Sequence, residues 1–213
     1  KKEKVNLHLM GLVSEGGVHS SLKHLFALCK MCKDHNINKS FIHCFMDGRD
    51  TDPESGVDYI KKLNKEILGS NIKIGSVIGR YYAMDRDKRW ERIKLAYDLL
   101  VNASGEKFEE TVSSIESSYE NDITDEFIKP ISINDSSKIQ DKDVVICFNF
   151  RTDRCREITQ VLTQKDNQEY GMSIKDLYYV TMTEYDKTFK NIRVAFTKNN
   201  LINTLGEAIQ NSD

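Results

Sequence analysis

Arginine is distributed unevenly along this sequence of 213 residues, and its distribution predicts a binding site for an anion. The chain has 31 basic residues; nine are arginine, and the lysines are scattered. Eight arginines fall into three short segments: Arg49; Arg80, Arg86, Arg89 and Arg92; and Arg151, Arg154 and Arg156. A guanidinium group is always charged, and its planar fork of donors matches the oxygens of a carboxylate or phosphate. Three converging segments would bind a small ligand with several negative charges.

The same arginines have an alternative explanation, because acidic residues lie close to them in sequence. These residues are Asp47, Asp50, Asp85, Asp87 and Asp153. Ion pairs between them would form a purely structural charge network. Such a network does not require three separate segments, so the complete set favours a ligand site. Arg89, Arg92 and Arg156 are expected to be bystanders, since they fall within predicted helices.

Two further residues near the arginines could move protons. His19 follows Gly16 and Gly17, which permit a turn and close approach of a ligand. A loop histidine donates a hydrogen bond to an anion or transfers a proton near neutral pH. Asp50 adjoins Arg49, and a carboxylate among guanidinium groups stays ionised and suits a general base acting on a substrate hydroxyl. Alternatively, Asp50 is a salt-bridge partner or a helix cap.

The arginine segments follow apolar segments that alternate with amphipathic helices. Predicted strands cover Val5–Val13, Ser40–Met46, Lys73–Ile78, Asp143–Phe148 and Leu177–Met182, with a further apolar stretch at Arg193–Phe196. Predicted helices begin near Leu22, Glu54, Arg89, Cys155 and Asn200, a short one covers Glu109–Tyr119, and residues 79–87 form a loop. This alternation predicts an α/β fold of three layers, α/β/α, with a largely parallel sheet and helices on both faces. The polar stretch 102–143 is interpreted as an excursion. Loops at the carboxyl ends of parallel strands share one edge, where ligands bind.

Composition excludes several functional classes. The formal net charge is -2, and 30% of residues are charged and 39% hydrophobic, which is typical of a soluble globular protein. The absence of bulk basic charge argues against nucleic acid as a partner, and no apolar run approaches the roughly 20 residues that span a bilayer. Five cysteines favour reduced thiols in the cytoplasm over a disulfide framework.

The remaining motifs predict no nucleophile or metal site in this chain. Cys29 and Cys32 form a C-x-x-C pair without a second pair, so core packing is the favoured interpretation. The other histidines, His8, His24, His35 and His43, lack metal-ligand spacing. The sequence contains no P-loop, no G-x-G-x-x-G and no G-x-S-x-G motif.

Four loop sequences resemble the substrate-loop motifs of the cofactor-independent phosphoglycerate mutases. They are GLVSEGGVHS at 11–20, FMDGRDTDP at 45–53, GRYYAMDRDKRW at 79–90 and FNFRTDR at 148–154. The resemblance covers nearly the whole chain, and the motifs occur in the order found in the family. Thr152 stands where the family commonly has proline.

The resemblance implies an isomerase of glycolysis that interconverts 3-phosphoglycerate and 2-phosphoglycerate through a phosphoserine, without a bisphosphoglycerate cofactor. Such enzymes have a phosphatase-like domain, which holds two manganese ions and the serine, and an inserted domain that orients the glycerate. Residues 1–213 are expected to be the inserted domain alone, monomeric, inactive by itself and without manganese ligands. Its partner would be the missing domain of the same polypeptide, toward which residues 199–213 would return as a linker or helix.

The resemblance also assigns roles to seven residues that match the family's substrate-binding set. These are His19, Arg49, Asp50, Arg80, Arg86, Arg151 and Arg154. Arg151 and Arg154 would grip the phosphate, while Arg49 and Arg86 would hold the carboxylate side of the glycerate. Asp50 would be the acid–base group, His19 would assist near the phosphoryl group, and Arg80 would support the substrate or its loop.

Two other interpretations remain open at this point. The chain could be a free-standing module that binds phosphorylated metabolites without chemistry. It could also be a relative of phosphatases or phosphopentose mutases, although these are not expected to carry this set of loops.

Overall fold

The protein is described from a computed structural model, which covers residues 5–197 and 209–210. Within these residues the chain forms one sheet of eight strands, in the order β4-β5-β3-β2-β1-β6-β7-β8. The strands are β1 (Leu7–Leu12), β2 (Ser40–Met46), β3 (Ile72–Gly79), β4 (Glu106–Lys107), β5 (Ile131–Ser132), β6 (Val144–Cys147), β7 (Tyr178–Thr181) and β8 (Ile192–Val194). The helices are α1 (Leu22–Asp34), α2 (Gly56–Ile67), α3 (Arg80–Ala83), α4 (Trp90–Asn102), α5 (Thr111–Tyr119) and α6 (Arg156–Thr163).

The central part of the sheet is parallel, as predicted. Strand β1 pairs in parallel with β2 on one side and with β6 on the other. From β1 the chain extends the sheet through β2 and β3 in one direction, and later through β6, β7 and β8 in the other. The strand order therefore reverses between β1 and β6. In open α/β sheets, the carboxyl ends of strands at such a reversal form a crevice for ligands.

Helices cover both faces of the sheet and give the three predicted layers. Because side chains alternate along a strand, Leu9 faces one core while Met10 and Leu12 face the other. The first core packs against α1, α2 and α5, and the second packs against α4 and α6. Cys29 and Cys32 lie in the first core, which confirms their predicted packing role.

Three short elements differ from the prediction. Residues 79–87, expected to be a loop, begin with the four-residue helix α3. The stretch 102–143, expected to be an excursion, contains the predicted short helix as α5 but also returns to the sheet through β4 and β5. Strand β5 runs antiparallel to β3. Elements of two to four residues are too short to show a hydrophobic period, so the sequence could not reveal them.

The predicted helix Asn200–Ile209 and the predicted linker 199–213 lie outside the described residues, except for Ile209 and Gln210, which are helical. Over the part of the chain that is described, no helix has the length and apolar character needed to span a bilayer.

Candidate anion-binding site

The seven predicted site residues lie in four loops at the carboxyl edge of the sheet. His19 lies between β1 and α1, and Arg49 and Asp50 lie between β2 and α2. Arg80 begins α3 directly after β3, Arg86 follows that helix, and Arg151 and Arg154 lie between β6 and α6. Parallel pairing of β3, β2, β1 and β6 brings these loops to the same edge.

Asp47 ties three of these loops together. Its carboxylate is buried and accepts hydrogen bonds from Ser14 Oγ at 2.5 Å, Arg80 Nη1 at 2.6 Å and the backbone N–H of Asp50 at 3.0 Å. Burial alone would raise the pKa of Asp47, but these hydrogen bonds outweigh it and hold the pKa below its ordinary value. The hydrogen bonds of Asp47 therefore fix the relative positions of these three loops in the absence of a ligand.

Arg80 holds Asp50 in place through a buried ion pair. Its side chain is only 2% exposed, and Nη1 donates to Asp47 Oδ1 at 2.6 Å and to Asp50 Oδ2 at 2.5 Å. Burial opposes the charge on Arg80, but the two carboxylates more than compensate and raise its pKa. Asp50 keeps about a fifth of its side chain exposed, so it is held by Arg80 and still accessible.

His19 is buried between two carboxylates without bonding closely to either. Its Nε2 lies 3.7 Å from Asp50 Oδ2, and its Nδ1 lies 3.7 Å from Asp153 Oδ1. Burial, followed by the positive charge of Arg80, lowers the pKa of His19 to about 4. The imidazole is therefore neutral at physiological pH.

Asp153 connects His19 to two of the arginines. Its Oδ2 accepts a hydrogen bond from Arg86 Nη1 at 2.8 Å, and its Oδ1 lies 3.4 Å from Arg151 Nε. Both arginines remain about half exposed. The sequence indicates Asp153 only as an ion-pair partner of the arginines. Its position between Arg151 and Arg154 in one motif was the signal that could have placed it in the site.

The loop that carries Arg86 is held by buried acids. Asp85 is 3% exposed and accepts hydrogen bonds from the backbone N–H groups of Asp87 and Arg89, each at 2.9 Å. Glu157, in the first turn of α6, accepts one from the backbone of Lys88 at 2.8 Å. Burial, with a contribution from Asp85, raises the pKa of Glu157 to about 7.

A cavity of about 420 Å³ opens at this edge of the sheet. It is lined by Arg49, Arg80, Tyr81, Asp85, Arg86, Asp87, Arg89, Arg92, Glu126, Phe127 and Arg154. The Tyr81 and Phe127 rings, with centroids 5.1 Å apart, provide an aromatic part of the wall. Burial and then the charges of Arg86, Arg80 and Arg49 lower the pKa of Arg154. The cavity therefore concentrates positive charge.

Arg154 has unused hydrogen-bonding capacity. Its Nη1 donates to the backbone oxygen of Met84 at 3.3 Å, whereas its Nε is buried without a partner among the described residues. A buried, unpaired donor on a cationic group is costly, and an anion would satisfy it.

The structure brings the predicted set together in two groups. Arg49, Arg80, Arg86 and Arg154 line the cavity. The other three members, His19, Asp50 and Arg151, are linked to that group through the contacts of Asp50 with Arg80 and of Asp153 with Arg86.

The three expected bystanders differ in position. Arg89 pairs with Asp85 and Asp87, and Arg92 stacks 3.8 Å from the Tyr81 ring centroid, yet both line the cavity. Arg156 instead donates to the backbone oxygen of Tyr185 at 3.0 Å.

Comparison with known proteins identifies the family of the chain. The sequence model of the BPG-independent PGAM N-terminus matches residues 1–187. The chain belongs to this phosphoglycerate mutase family.

Curated relatives of this mutase family share about half of the aligned residues. The chain is 54% identical over 209 residues to a 2,3-bisphosphoglycerate-independent phosphoglycerate mutase of Bacteroides fragilis, covering 97% of this chain and 42% of the relative. It is 53% identical over 215 residues to the mutase of the same name from Flavobacterium psychrophilum, covering 99% and 43%. The chain thus spans less than half the length of these relatives.

A solved structure of a phosphoglycerate mutase supports the fold. The structure is that of the Leishmania mexicana enzyme at low cobalt concentration, and it matches with a TM-score of 0.87 and 26% sequence identity. The match covers 99% of this chain and 41% of that protein.

The described part of this mutase-family chain offers no evident metal centre. Across residues 5–197 and 209–210, no group of three or more His, Cys, Asp or Glu side chains is arranged to hold a metal ion. The five cysteines are free and buried, and burial raises the pKa of Cys29 to about 12.

Proposed function

We propose that this chain is the glycerate-orienting domain of a phosphoglycerate mutase that interconverts 3-phosphoglycerate and 2-phosphoglycerate in glycolysis. The observation that carries the proposal is the cavity into which three separate strand-end loops bring Arg49, Arg86 and Arg154. A ligand with a phosphate at one end and a carboxylate at the other matches such a divided set of guanidinium groups. Family membership supports this choice of polyanion.

The arrangement suggests how the glycerate is held. Arg151 and Arg154 grip the phosphate, and Arg49 and Arg86 hold the carboxylate side. Moving a phosphoryl group between neighbouring oxygens requires the glycerate to be held and reoriented while water is kept out. Rigid support from Asp47 and Arg80 beneath the site reduces the freedom that binding would otherwise have to remove.

Asp50 and His19 are the proton-handling groups of this proposal. Asp50 is pinned on one oxygen by Arg80 yet remains accessible, which suits a group that takes a proton from a glycerate hydroxyl and returns it. His19, neutral because its pKa is about 4, can accept or donate a hydrogen bond near the phosphoryl group.

The phosphoryl-transfer chemistry is assigned to the part of the relatives that this chain does not span. We place the expected manganese ions and the phosphorylated serine there, as the resemblance to the family implies. We therefore expect this chain to bind phosphoglycerate and not to interconvert it. The proposal further includes a monomer in the cytoplasm, a reducing compartment that suits free, buried thiols.

Calorimetric titration of this chain with 3-phosphoglycerate tests the binding role. Replacing Arg151 or Arg154 with alanine removes a charge-assisted contact of roughly 1.5 to 3 kcal/mol, equivalent to about a 10- to 150-fold loss of affinity. Arg193→Ala is the matched control, because Arg193 is exposed in β8 and stacks on Tyr178. Equal affinity in all three variants would contradict the assignment of the site.

An activity assay tests the division of labour. The purified chain should leave 3-phosphoglycerate unconverted even at high protein concentration. Interconversion at an enzyme-like rate would show that the nucleophile and metal are not where we place them. Reading the gene on either side of this sequence separates a mutase from a free-standing binding module, because only the mutase needs flanking Asp, His and Ser residues for metal and phosphoryl chemistry.

A further inference from the structure

Two buried polar atoms in the site face each other without bonding. His19 Nδ1 and Asp153 Oδ1 are 3.7 Å apart, and each lacks a hydrogen-bond partner among the residues described. His19 is only 3% exposed, so solvent water has little access to its ring and does not supply the missing hydrogen bond. Unsatisfied buried polar atoms are uncommon in folded proteins and call for an explanation.

The backbone around this pair is already fixed. The backbone N–H of Phe150 donates to the carbonyl oxygen of His19 at 2.8 Å, and that of Arg151 approaches the same oxygen at 3.3 Å. These bonds join the loop after β1 to the loop after β6. A small rotation of either side chain would bring Nδ1 and Oδ1 into hydrogen-bond range, with no movement of the loops.

Asp153 is at present held by the arginines. Arg86 donates to its Oδ2 at 2.8 Å, and Arg151 lies 3.4 Å from its Oδ1. In the proposed function these two arginines turn to the carboxylate and the phosphate of the substrate. A ligand that draws them away leaves the Asp153 carboxylate free to accept a hydrogen bond from His19.

We propose that Asp153 is a positioning residue: its Oδ1, which faces His19 Nδ1 in the free chain, keeps the imidazole proton on Nδ1, and it accepts a full hydrogen bond from that N–H when the substrate anion binds, which turns His19 Nε2 toward the substrate. This inference rests on the proposed function. Asp50, the other carboxylate near His19, already accepts a short hydrogen bond from Arg80 on the oxygen that faces Nε2. Asp153 Oδ1 has no such bond, so it is the better acceptor for the one N–H of a neutral imidazole.

The consequence is a defined tautomer. With its proton on Nδ1, His19 presents an unprotonated Nε2 in the gap beside Asp50, where it accepts a hydrogen bond from a glycerate hydroxyl. The pKa of about 4 fits this arrangement, because the neutral ring carries a single proton whose position Asp153 decides. Through Asp153, the binding of substrate by Arg86 and Arg151 thus changes the orientation of His19.

Imidazole ¹⁵N–¹H NMR of this chain at neutral pH tests the inference, with the His19 signal assigned by His19→Gln. The wild-type chain should carry the His19 proton on Nδ1, both free and with 3-phosphoglycerate. Asp153→Asn should move a large part of the population to the Nε2–H tautomer. Asp58→Asn, the same change at an exposed position in α2, is the control and should leave the tautomer unchanged.

The outcomes separate the two proposals. If the wild-type proton resides on Nε2, or if Asp153→Asn leaves the tautomer unchanged while 3-phosphoglycerate still binds, the positioning role is wrong and the proposed function stands. If the wild-type chain does not bind 3-phosphoglycerate, the proposed function fails, while the tautomer of the free chain still tests Asp153. Should Asp153→Asn fail to fold, Asp153→Glu keeps the charge and is expected to retain the Nδ1–H tautomer; loss of it would overturn the inference.

Discussion

Two histidine–aspartate pairs occupy opposite ends of the same two neighbouring strands. His8 lies near the start of β1 and Asp143 immediately precedes β6, whereas His19 and Asp153 lie in the loops after these strands. In the first, which we term the closed pair, His8 Nε2 lies 3.1 Å from Asp143 Oδ2. In the second, the open pair, His19 Nδ1 lies 3.7 Å from Asp153 Oδ1.

The closed pair belongs to a continuous chain of hydrogen bonds across the sheet. His8 Nδ1 lies 3.0 Å from His43 Nε2, and His43 Nδ1 lies 2.8 Å from Ser76 Oγ. Asp143 also accepts hydrogen bonds from the backbone N–H groups of Asn6 and Gln140. Each ring nitrogen of both histidines therefore has a partner.

The difference between the pairs shows that burial alone does not reveal whether a histidine has a structural or a functional role. His8 and His19 are both almost fully buried, at 0% and 3% exposure. Of the two pairs, only the open pair leaves side-chain polar atoms without partners in the described structure, and it does so beside a cavity lined by arginine. A fully satisfied buried network contributes to a unique fold, whereas the unsatisfied atoms of the open pair call for an explanation.

The largest expected effect comes from breaking the closed pair. Asp143→Ala leaves His8 and two backbone N–H groups without their acceptor, and we expect it to lower the free energy of unfolding by about 4 kcal/mol. Asp153→Ala should lower it by less than about 1 kcal/mol, since its partners Arg86 and Arg151 are half exposed. Urea unfolding measures both. Similar losses in the two variants would remove the distinction between the pairs.

Arg80 sharpens the comparison, because it belongs to the site by sequence but resembles the closed pair in its contacts. Arg80→Ala leaves Asp47 and Asp50 without their shared partner, and a loss of about 3 kcal/mol of unfolding free energy is expected. Ser14 and backbone N–H groups still satisfy part of Asp47, which keeps the loss below that of Asp143→Ala. A variant as stable as the wild-type chain, measured by thermal and urea unfolding, would show that Arg80 acts only on substrate.

The contrast between the buried Arg80 and the more exposed arginines also shows what could and could not be predicted from the sequence. The segregation of arginine into strand-end segments correctly placed these residues at one edge, because parallel strands bring their carboxyl ends together. Strand β2 was predicted residue for residue, since its seven residues form one buried run. Which arginine is buried depends on Asp47, which contacts loops from two other strands, and that information is absent from local sequence.

The closed pair was equally beyond the sequence. His8 and His43 showed no ligand spacing, and their contact depends on the register that sets Met10 opposite His43 in the β1–β2 ladder. The same limit applies to Asp153, whose distance to His19 follows from the parallel pairing of β1 and β6. Strands β4 and β5, with two residues each, were missed because their pairing is tertiary.

The pH dependence of stability also distinguishes the open pair from the closed pair, because His19 of the open pair has a lowered pKa. The pKa of His19 falls from 6.5 in the unfolded chain to about 4 in the fold. Between these values the unfolded state binds a proton that the folded state does not, so stability decreases as the pH falls from 6.5 to 4. The expected contribution, once the pH has fallen to 4, is about 3 kcal/mol.

His19→Gln isolates this contribution by difference. The stability of the variant should fall less steeply than that of the wild-type chain between pH 6.5 and 4, in urea titrations at several pH values. Bound 3-phosphoglycerate should flatten the wild-type curve, because its negative charge opposes the effect of Arg80 on the imidazole. Parallel curves for the variant and the wild-type chain would show that His19 titrates normally in the fold.

The smallest expected effect on stability belongs to the exposed arginines, and it completes the comparison. Arg151 is about half exposed and lies 3.4 Å from Asp153 at its nearest contact, so Arg151→Ala should change the free energy of unfolding by less than about 0.5 kcal/mol. The same substitution is expected to weaken 3-phosphoglycerate binding, whereas Asp143→Ala acts chiefly through stability. A large loss of stability in Arg151→Ala would instead assign the arginine to the structural network. The open pair would then be as much a part of the folded framework as the closed one, because the carboxylate it shares with Arg151 would be holding the loops together.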